Sequence, residues 1–178
     1  MKAFDFADEE NVSLLSESIL DENPNLYVVK SISKSYGVPG LRLGVLASGN
    51  ADVIRRLKRS VSIWNINSMA EFFMQILDKY KADYENSIRE IKTEKKRLFE
   101  ALRQIKSLKV YPSQANYFMC ELLDGHTSEE LAGRLLKRNI LIKDLTGKIK
   151  NGRQYIRIAI RTGAENQRLV ELLKEETQ

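Results

Sequence analysis

Ser31-Ile32-Ser33-Lys34-Ser35-Tyr36-Gly37-Val38-Pro39-Gly40-Leu41-Arg42-Leu43-Gly44 is the stretch on which the reading of the chain turns. A lysine stands just past an apolar run and is flanked by hydroxyls. Gly37 and Gly40 permit a tight turn with positive φ and a close approach of backbone to a ligand. Arg42 can fork onto a phosphate. Ser31 and Ser33, two residues apart, read as sharing one side of a strand, so that both hydroxyls reach one anion. An anion site beside a lysine amine is what pyridoxal phosphate requires: the amine for a Schiff base, the hydroxyls and guanidinium for the phosphate.

Three other readings compete at this point. A phosphate-binding Walker loop needs its lysine after the glycines, and here the lysine precedes them. Gly37-Val38-Pro39-Gly40 matches the short GXXG loop of KH domains, but that loop joins two helices and this one follows an apolar strand. The third reading is purely architectural, a lysine at a strand end followed by a glycine turn.

Outward from the lysine, Leu26-Tyr27-Val28-Val29 and Leu43-Gly44-Val45-Leu46-Ala47 read as two strands. Both are apolar runs without clean alternation, the pattern of buried strands. Val12 to Leu20 carries a short helical pattern, closed by the turn signal Glu22-Asn23-Pro24-Asn25. From Asn50 to Tyr111 there is neither Gly nor Pro. Asn50 is placed to cap a short helix over Ala51 to Arg59. Phe73, Leu77, Tyr80, Tyr84, Ile88, Ile91, Leu98, Leu102 and Ile105 then step by three and four, which predicts one long helix from about Ser68 to Ile105. The remainder alternates. Lys109-Val110-Tyr111, Tyr117 to Cys120, Ile140-Leu141-Ile142 and Tyr155 to Ile160 read as strands. Helices are expected from Thr127 or Ser128 to Leu136, with a capping box through Glu130 or Glu129, and from Gly163 to Glu175.

Composition narrows the function classes. The 178 residues are 43% hydrophobic and 30% charged, with 9 Gly and 3 Pro, a balance that excludes collagen-like or low-complexity disorder. No apolar run is long enough to span a bilayer, and the N-terminus has no apolar signal region. One cysteine, Cys120, and one histidine, His126, leave no internal disulfide and no zinc cluster. Net charge is −5 over residues 1–33, +8 over 34–110 and +2 over 111–178. The basic middle, including Lys92, Lys95, Lys96 and Arg97, is interleaved with acids as a solvated helix face would be. A nucleic-acid interface is therefore the lesser reading.

The stretch around Lys34 resembles the pyridoxal-phosphate lysine motif of fold-type I aminotransferases, Ser-x-Ser-Lys-x-x-Gly-x-x-Gly-x-Arg-x-Gly. Among these it is most similar to the histidinol-phosphate aminotransferase group. The resemblance implies that Lys34 carries the cofactor and shuttles the proton at the substrate α-carbon, and that Ser31, Ser33 and Arg42 hold its phosphate. Trp64-Asn65-Ile66-Asn67-Ser68 resembles the crossing from large to small domain. Ser113-Gln114-Ala115-Asn116-Tyr117-Phe118 resembles the small-domain strand, with Asn116 near the substrate. Tyr155-Ile156-Arg157-Ile158 resembles the strand whose arginine, here Arg157, binds the substrate carboxylate. Lys143 falls near the position of a family arginine for a distal phosphate. Arg161 stands where histidinol-phosphate enzymes carry glycine, and Arg-Ile-Ala-Ile-Arg is closer to the threonine-phosphate decarboxylase branch.

The expectation is therefore an α/β chain, the C-terminal portion of a fold-type I enzyme. It would comprise a large-domain remnant over 1–62, a linking helix over 63–106 and a small α/β domain over 107–178. Ala3-Phe4-Asp5-Phe6 resembles the segment after the family's cofactor aspartate, and nothing matches the preceding half. By that resemblance the chain is a truncated product or a fragment, inactive by itself, of a cytoplasmic homodimer that moves an amino group between an amino acid and a 2-oxo acid. A decarboxylase or lyase acting on a phosphorylated amino acid, and a non-catalytic module, stand as alternatives. The exposed strand edges are expected to favour self-association.

Overall fold

The computed structural model describes residues 13–123 and 125–177, so the Ala3–Phe6 resemblance and the start of the first helical pattern lie outside the described residues. The chain divides into two compact units, 1–86 and 87–178.

The first unit opens with helix α1 (Glu17–Glu22), whose N-cap Ser16 accepts a hydrogen bond from the Ile19 amide. Gly49 sits where a Cβ would fall 2.2 Å from the Leu20 carbonyl oxygen, so only glycine lets the chain pass α1 at that point. Strands β1 (Val28–Ser31) and β2 (Gly44–Ala47) pair antiparallel, with Ser31 opposite Gly44. Neither is buried as their apolar runs predict: Val29, Val45 and Leu46 are 49%, 43% and 42% exposed. Among the described residues they form a two-stranded sheet, so each has a neighbour on one edge only.

Between the strands lies α2 (Ile32–Ser35), a single helical turn, and then a 3₁₀ turn over Pro39–Leu41. The strand thus ends at Ser31, and Ser33 belongs to the helical turn. The shared strand face expected for the two serines does not exist. Ser33 is buried, its hydroxyl donates to the Leu43 carbonyl at 3.2 Å and accepts from the Leu43 amide at 2.8 Å, and its own amide also donates to that carbonyl at 3.2 Å. This three-bond clamp closes the loop. Gly37 adopts φ +67°, as a tight turn requires, whereas the second positive φ falls on Arg42 at 54° rather than on Gly40.

Helix α3 (Ala51–Ser60) is capped by Asn50, whose side chain accepts from the Val53 amide. The long helix expected from Ser68 is interrupted. It consists of α4 (Ser68–Ile76), a 3₁₀ turn over Leu77–Tyr80 and α5 (Lys81–Arg103). The Asn67 side chain caps α4 at the Ala70 amide and also donates to the Leu41 carbonyl at 2.9 Å, tying the helix to the loop.

The second unit is an antiparallel sheet in the order β3-β4-β6-β5, formed by β3 (Leu108–Val110), β4 (Tyr117–Leu122), β5 (Lys143–Asp144) and β6 (Tyr155–Ala159). Ile140-Leu141-Ile142 is not a strand; pairing starts one residue later, at Lys143 opposite Arg157. Phe118, Cys120, Ile156 and Ile158 point to one face. They pack there with Leu98 and Leu102 of α5, Leu131 and Leu135 of α6 (Ser128–Lys137) and Leu169 to Leu173 of α7 (Gly163–Glu176) in a core of sixteen buried apolar side chains. Burial of each is worth about 1.5–3 kcal/mol. Cys120 is fully buried, and burial pushes its thiol up to about 12. Both helices α6 and α7 start with a capping box, Thr127 with Glu130 and Thr162 with Glu165.

Unequal cores predict unequal protection. The first unit's fully buried apolar residues are only Leu43 and Ala70 among those described. Amide exchange should be slowest in β4, β6 and α7 and markedly faster in β1 and β2; equal protection would contradict the assignment of cores. Ser33→Ala should leave the Leu43 amide without an acceptor, at about 1–3 kcal/mol, and speed its exchange selectively. Glu165 is held down to about 2, first by the Arg161 guanidinium and then by Thr162, against an ordinary value of 4.5. A lowered carboxylate stabilises fully above its unfolded value and loses that contribution as pH falls. The stability difference between the wild type and Glu165→Gln is therefore expected to hold above pH 4.5 and to shrink towards pH 2, measured by denaturant midpoints.

Candidate functional site

The Ser33–Leu43 clamp decides where the chemistry-bearing residues stand in the first unit. Lys34 follows one end of the clamp and Arg42 precedes the other, so residues eight apart in sequence flank a single closure. Both side chains are exposed. Ser31 sits at the end of β1 opposite Gly44. The left-handed backbone at Arg42 is a local strain for a side-chain-bearing residue. The Ser33 hydroxyl proton is used on the Leu43 carbonyl, so this serine braces the loop around which the other expected residues, Ser31, Lys34 and Arg42, are placed.

In the second unit the outer face of the sheet carries polar groups. Arg157 lies on β6 with its guanidinium 5.0 Å from the centroid of the Tyr117 ring, a cation–π contact. Arg157 pairs with Met119 on one side and Lys143 on the other, so Lys143 and Arg157 are direct cross-strand neighbours and both are exposed. Like charges opposed across strands are unfavourable by themselves. Asn116 stands just before β4, its carbonyl accepting from the Ile160 amide at 2.9 Å. Arg161 points elsewhere, forking onto Glu165 at 2.7 and 3.2 Å.

Sequence reading missed a second cluster on that face. Glu121 is buried on β4, accepts from the Tyr111 hydroxyl at 2.6 Å and pairs with Arg153 at 3.1 Å. The hydrogen bond to Tyr111 comes first in holding this carboxyl below its usual range, with Arg153 and Lys109 adding to it, and the same bond pushes the Tyr111 phenol up to about 12. On the inner side, Ser128 donates to Asp144 at 2.6 Å and also meets Thr146 and Gln154. Asp144 is held down first by Ser128 and then by Thr146. Both clusters are fully partnered and read as braces. Within the basic run on α5, Lys95 is buried and Arg97 pairs with Glu94 at 2.7 Å. Among the described residues no group of three or more His, Cys, Asp or Glu is placed to hold a metal, and no helix is long and apolar enough to cross a membrane.

Comparison with known proteins gives this geometry its context. The family model for aminotransferase class I and II matches residues 3–173. The threonine-phosphate decarboxylase of Salmonella typhimurium is 33% identical over 157 residues, covering 87% of this chain and 42% of that protein. A solved decarboxylase from Sulfurospirillum multivorans superposes with a TM-score of 0.82 at 30% identity, over 99% of this chain and 51% of that one. The histidinol-phosphate aminotransferase from Clostridium acetobutylicum superposes with a TM-score of 0.81 at 28% identity, over 98% and 52%. The chain spans less than half the length of the curated relatives it matches first. The matching model covers nearly every residue, the fold is that of fold-type I enzymes, and pyridoxal phosphate is their cofactor; an exposed lysine amine, a hydroxyl and a guanidinium around one clamped turn suit that group, and the chain belongs to the aminotransferase class I and II family.

Proposed function

We propose that this chain supplies the cofactor lysine and the substrate-anion residues of a pyridoxal-phosphate-dependent decarboxylase acting on a phosphorylated amino acid. The observation that supports this reading is the cross-strand pair Lys143–Arg157. Two adjacent cations repel and are retained usefully where a substrate brings two anionic groups. A phosphorylated amino acid has a carboxylate and a phosphate. The similarity to a threonine-phosphate decarboxylase, with the Arg157-to-Arg161 pattern, favours decarboxylation over amino transfer.

The chemistry then divides as follows. Bound pyridoxal phosphate supplies an electron sink for the carbanion formed when a bond at the substrate α-carbon breaks. Arg42 and the Ser31 hydroxyl hold the cofactor phosphate as fork and donor. Lys34 provides the amine that carries the cofactor and, once released from it, the proton donor at the α-carbon. Arg157, in cation–π contact with Tyr117, takes the carboxylate bidentately, and Lys143 takes the distal phosphate as a point charge. Asn116, just before β4, lies on the substrate side of this reading.

A second reading, amino transfer to a 2-oxo acid, draws on the likeness to the histidinol-phosphate aminotransferase. The two separate in one assay. In a protein that carries this chain, O-phospho-L-threonine or O-phospho-L-serine should release carbon dioxide with no 2-oxo acid present. Lys143→Met should raise KM for the phosphorylated substrate by roughly tenfold with a smaller change in kcat, the loss of one charge-assisted contact. Borohydride reduction in the presence of pyridoxal phosphate should label Lys34. Glutamate formation from 2-oxoglutarate without carbon dioxide would establish the second reading, and labelling elsewhere with Lys34 untouched would overturn the lysine assignment.

A further inference from the structure

The carbonyl groups of the lysine turn have separate partners. Ser31 accepts from the Ser35 hydroxyl at 3.3 Å, Ile32 from the Tyr36 amide at 3.1 Å, Ser33 from the Val38 amide at 2.8 Å and Lys34 from the Gly37 amide at 3.3 Å. All of these donors lie within five residues. The Ser35 carbonyl is different. It accepts at 3.2 Å from the hydroxyl of Tyr84, forty-nine residues away, on the first turn of α5. The Tyr84 ring also stacks on Tyr36, with centroids 4.3 Å apart and 23° between planes, and Phe73 of α4 meets Tyr36 edge-on at 6.0 Å.

A single helical turn has too few internal hydrogen bonds to hold its own geometry. The Ser33 clamp fixes the start of α2; at its end the amides of Tyr36, Gly37 and Val38 close the turn on itself, and a long-range partner fixes it against the helices of the unit. Tyr84 does so twice, once through its hydroxyl on the Ser35–Tyr36 peptide and once through the ring stacked on Tyr36. Displacement of that peptide would swing the Lys34 Cα, and with it the amine, relative to Arg42. We propose that Tyr84 is a positioning residue for Lys34: it orients the amine through the Ser35 carbonyl and the Tyr36 ring without touching the reacting atoms. This inference rests on Lys34 being the cofactor lysine.

Two variants of the full chain separate the contributions. Tyr84→Phe removes the hydrogen bond and keeps the stack; Tyr84→Leu removes both. Tyr80→Phe, on an exposed tyrosine of the neighbouring 3₁₀ turn, is the control. Without cofactor, Tyr84→Phe should speed amide exchange at Tyr36, Gly37 and Val38 by roughly two- to tenfold, the weight of one hydrogen bond, and leave β4 and β6 unchanged. With pyridoxal phosphate alone as probe, borohydride labelling at Lys34 should weaken by a similar factor in Tyr84→Phe and further in Tyr84→Leu. The pH midpoint of the adduct's visible absorbance should shift in both and stay fixed in Tyr80→Phe. A role in folding alone would leave that midpoint in place. Unchanged exchange, labelling and midpoint in Tyr84→Phe would overturn the positioning role while leaving Lys34 as the cofactor lysine. Absence of labelling at Lys34 in the wild type would overturn the cofactor reading and this inference together.

Discussion

The bond from the Leu43 amide to the Ser33 hydroxyl is the constraint on which the first unit is organised. Two short strands and the twelve-residue excursion between them contain little apolar surface to hold them. A buried hydroxyl that both donates to and accepts from one peptide closes the excursion at a single point. Everything chemical follows from that closure. Lys34 and Arg42 are brought to its two sides, the positive φ is displaced onto Arg42, and Asn67 reaches Leu41 just before the closing residue. An isolated hydrogen bond contributes only about 1 kcal/mol, but one whose loss orphans a buried amide costs more, and this asymmetry gives a serine such leverage.

Much of this was legible in the sequence, and the failures have physical causes. The glycines after Lys34 announced a tight turn with positive φ, and Gly37 takes it. Ser33 was placed on the strand beside Ser31 because the letters alone do not show where a strand gives way to a helical turn; only the tertiary partner, Leu43, does. In the second unit, alternation in Tyr155 to Ile160 fixed the faces of β6, and the Thr127–Glu130 capping box was among the expected ones, whereas the one at Thr162 and Glu165 was not foreseen. Ile140-Leu141-Ile142 looked like a strand since its apolar run is buried in part, yet it lacks a ladder partner until Lys143. Glu121 with Tyr111 and Arg153 could not be read at all, as its members come from three separate segments.

The seam from Phe73 to Ile105 illustrates the same limit at the scale of a helix. Its three-and-four spacing is real, but a 3₁₀ turn over Leu77–Tyr80 winds four residues at about 120° each rather than 100°, rotating the face by about 80°. Tyr80 is left 48% exposed, and Tyr84 is turned to the lysine loop. Periodicity records which residues are apolar and not where the winding changes, so a continuous helix and an interrupted one give the same string of letters.

Cys120 gives the second unit a built-in clock. It is the only thiol in the chain, it lies at the centre of the sheet's packed face, and burial holds it protonated. A small thiol reagent in solution can react with it only during the moments when that face parts. The modification rate, set against that of an unstructured cysteine peptide, therefore reads out how often the sheet and its helices separate. One atom of sulfur thus converts the packing of sixteen apolar side chains into a measurable chemical lifetime.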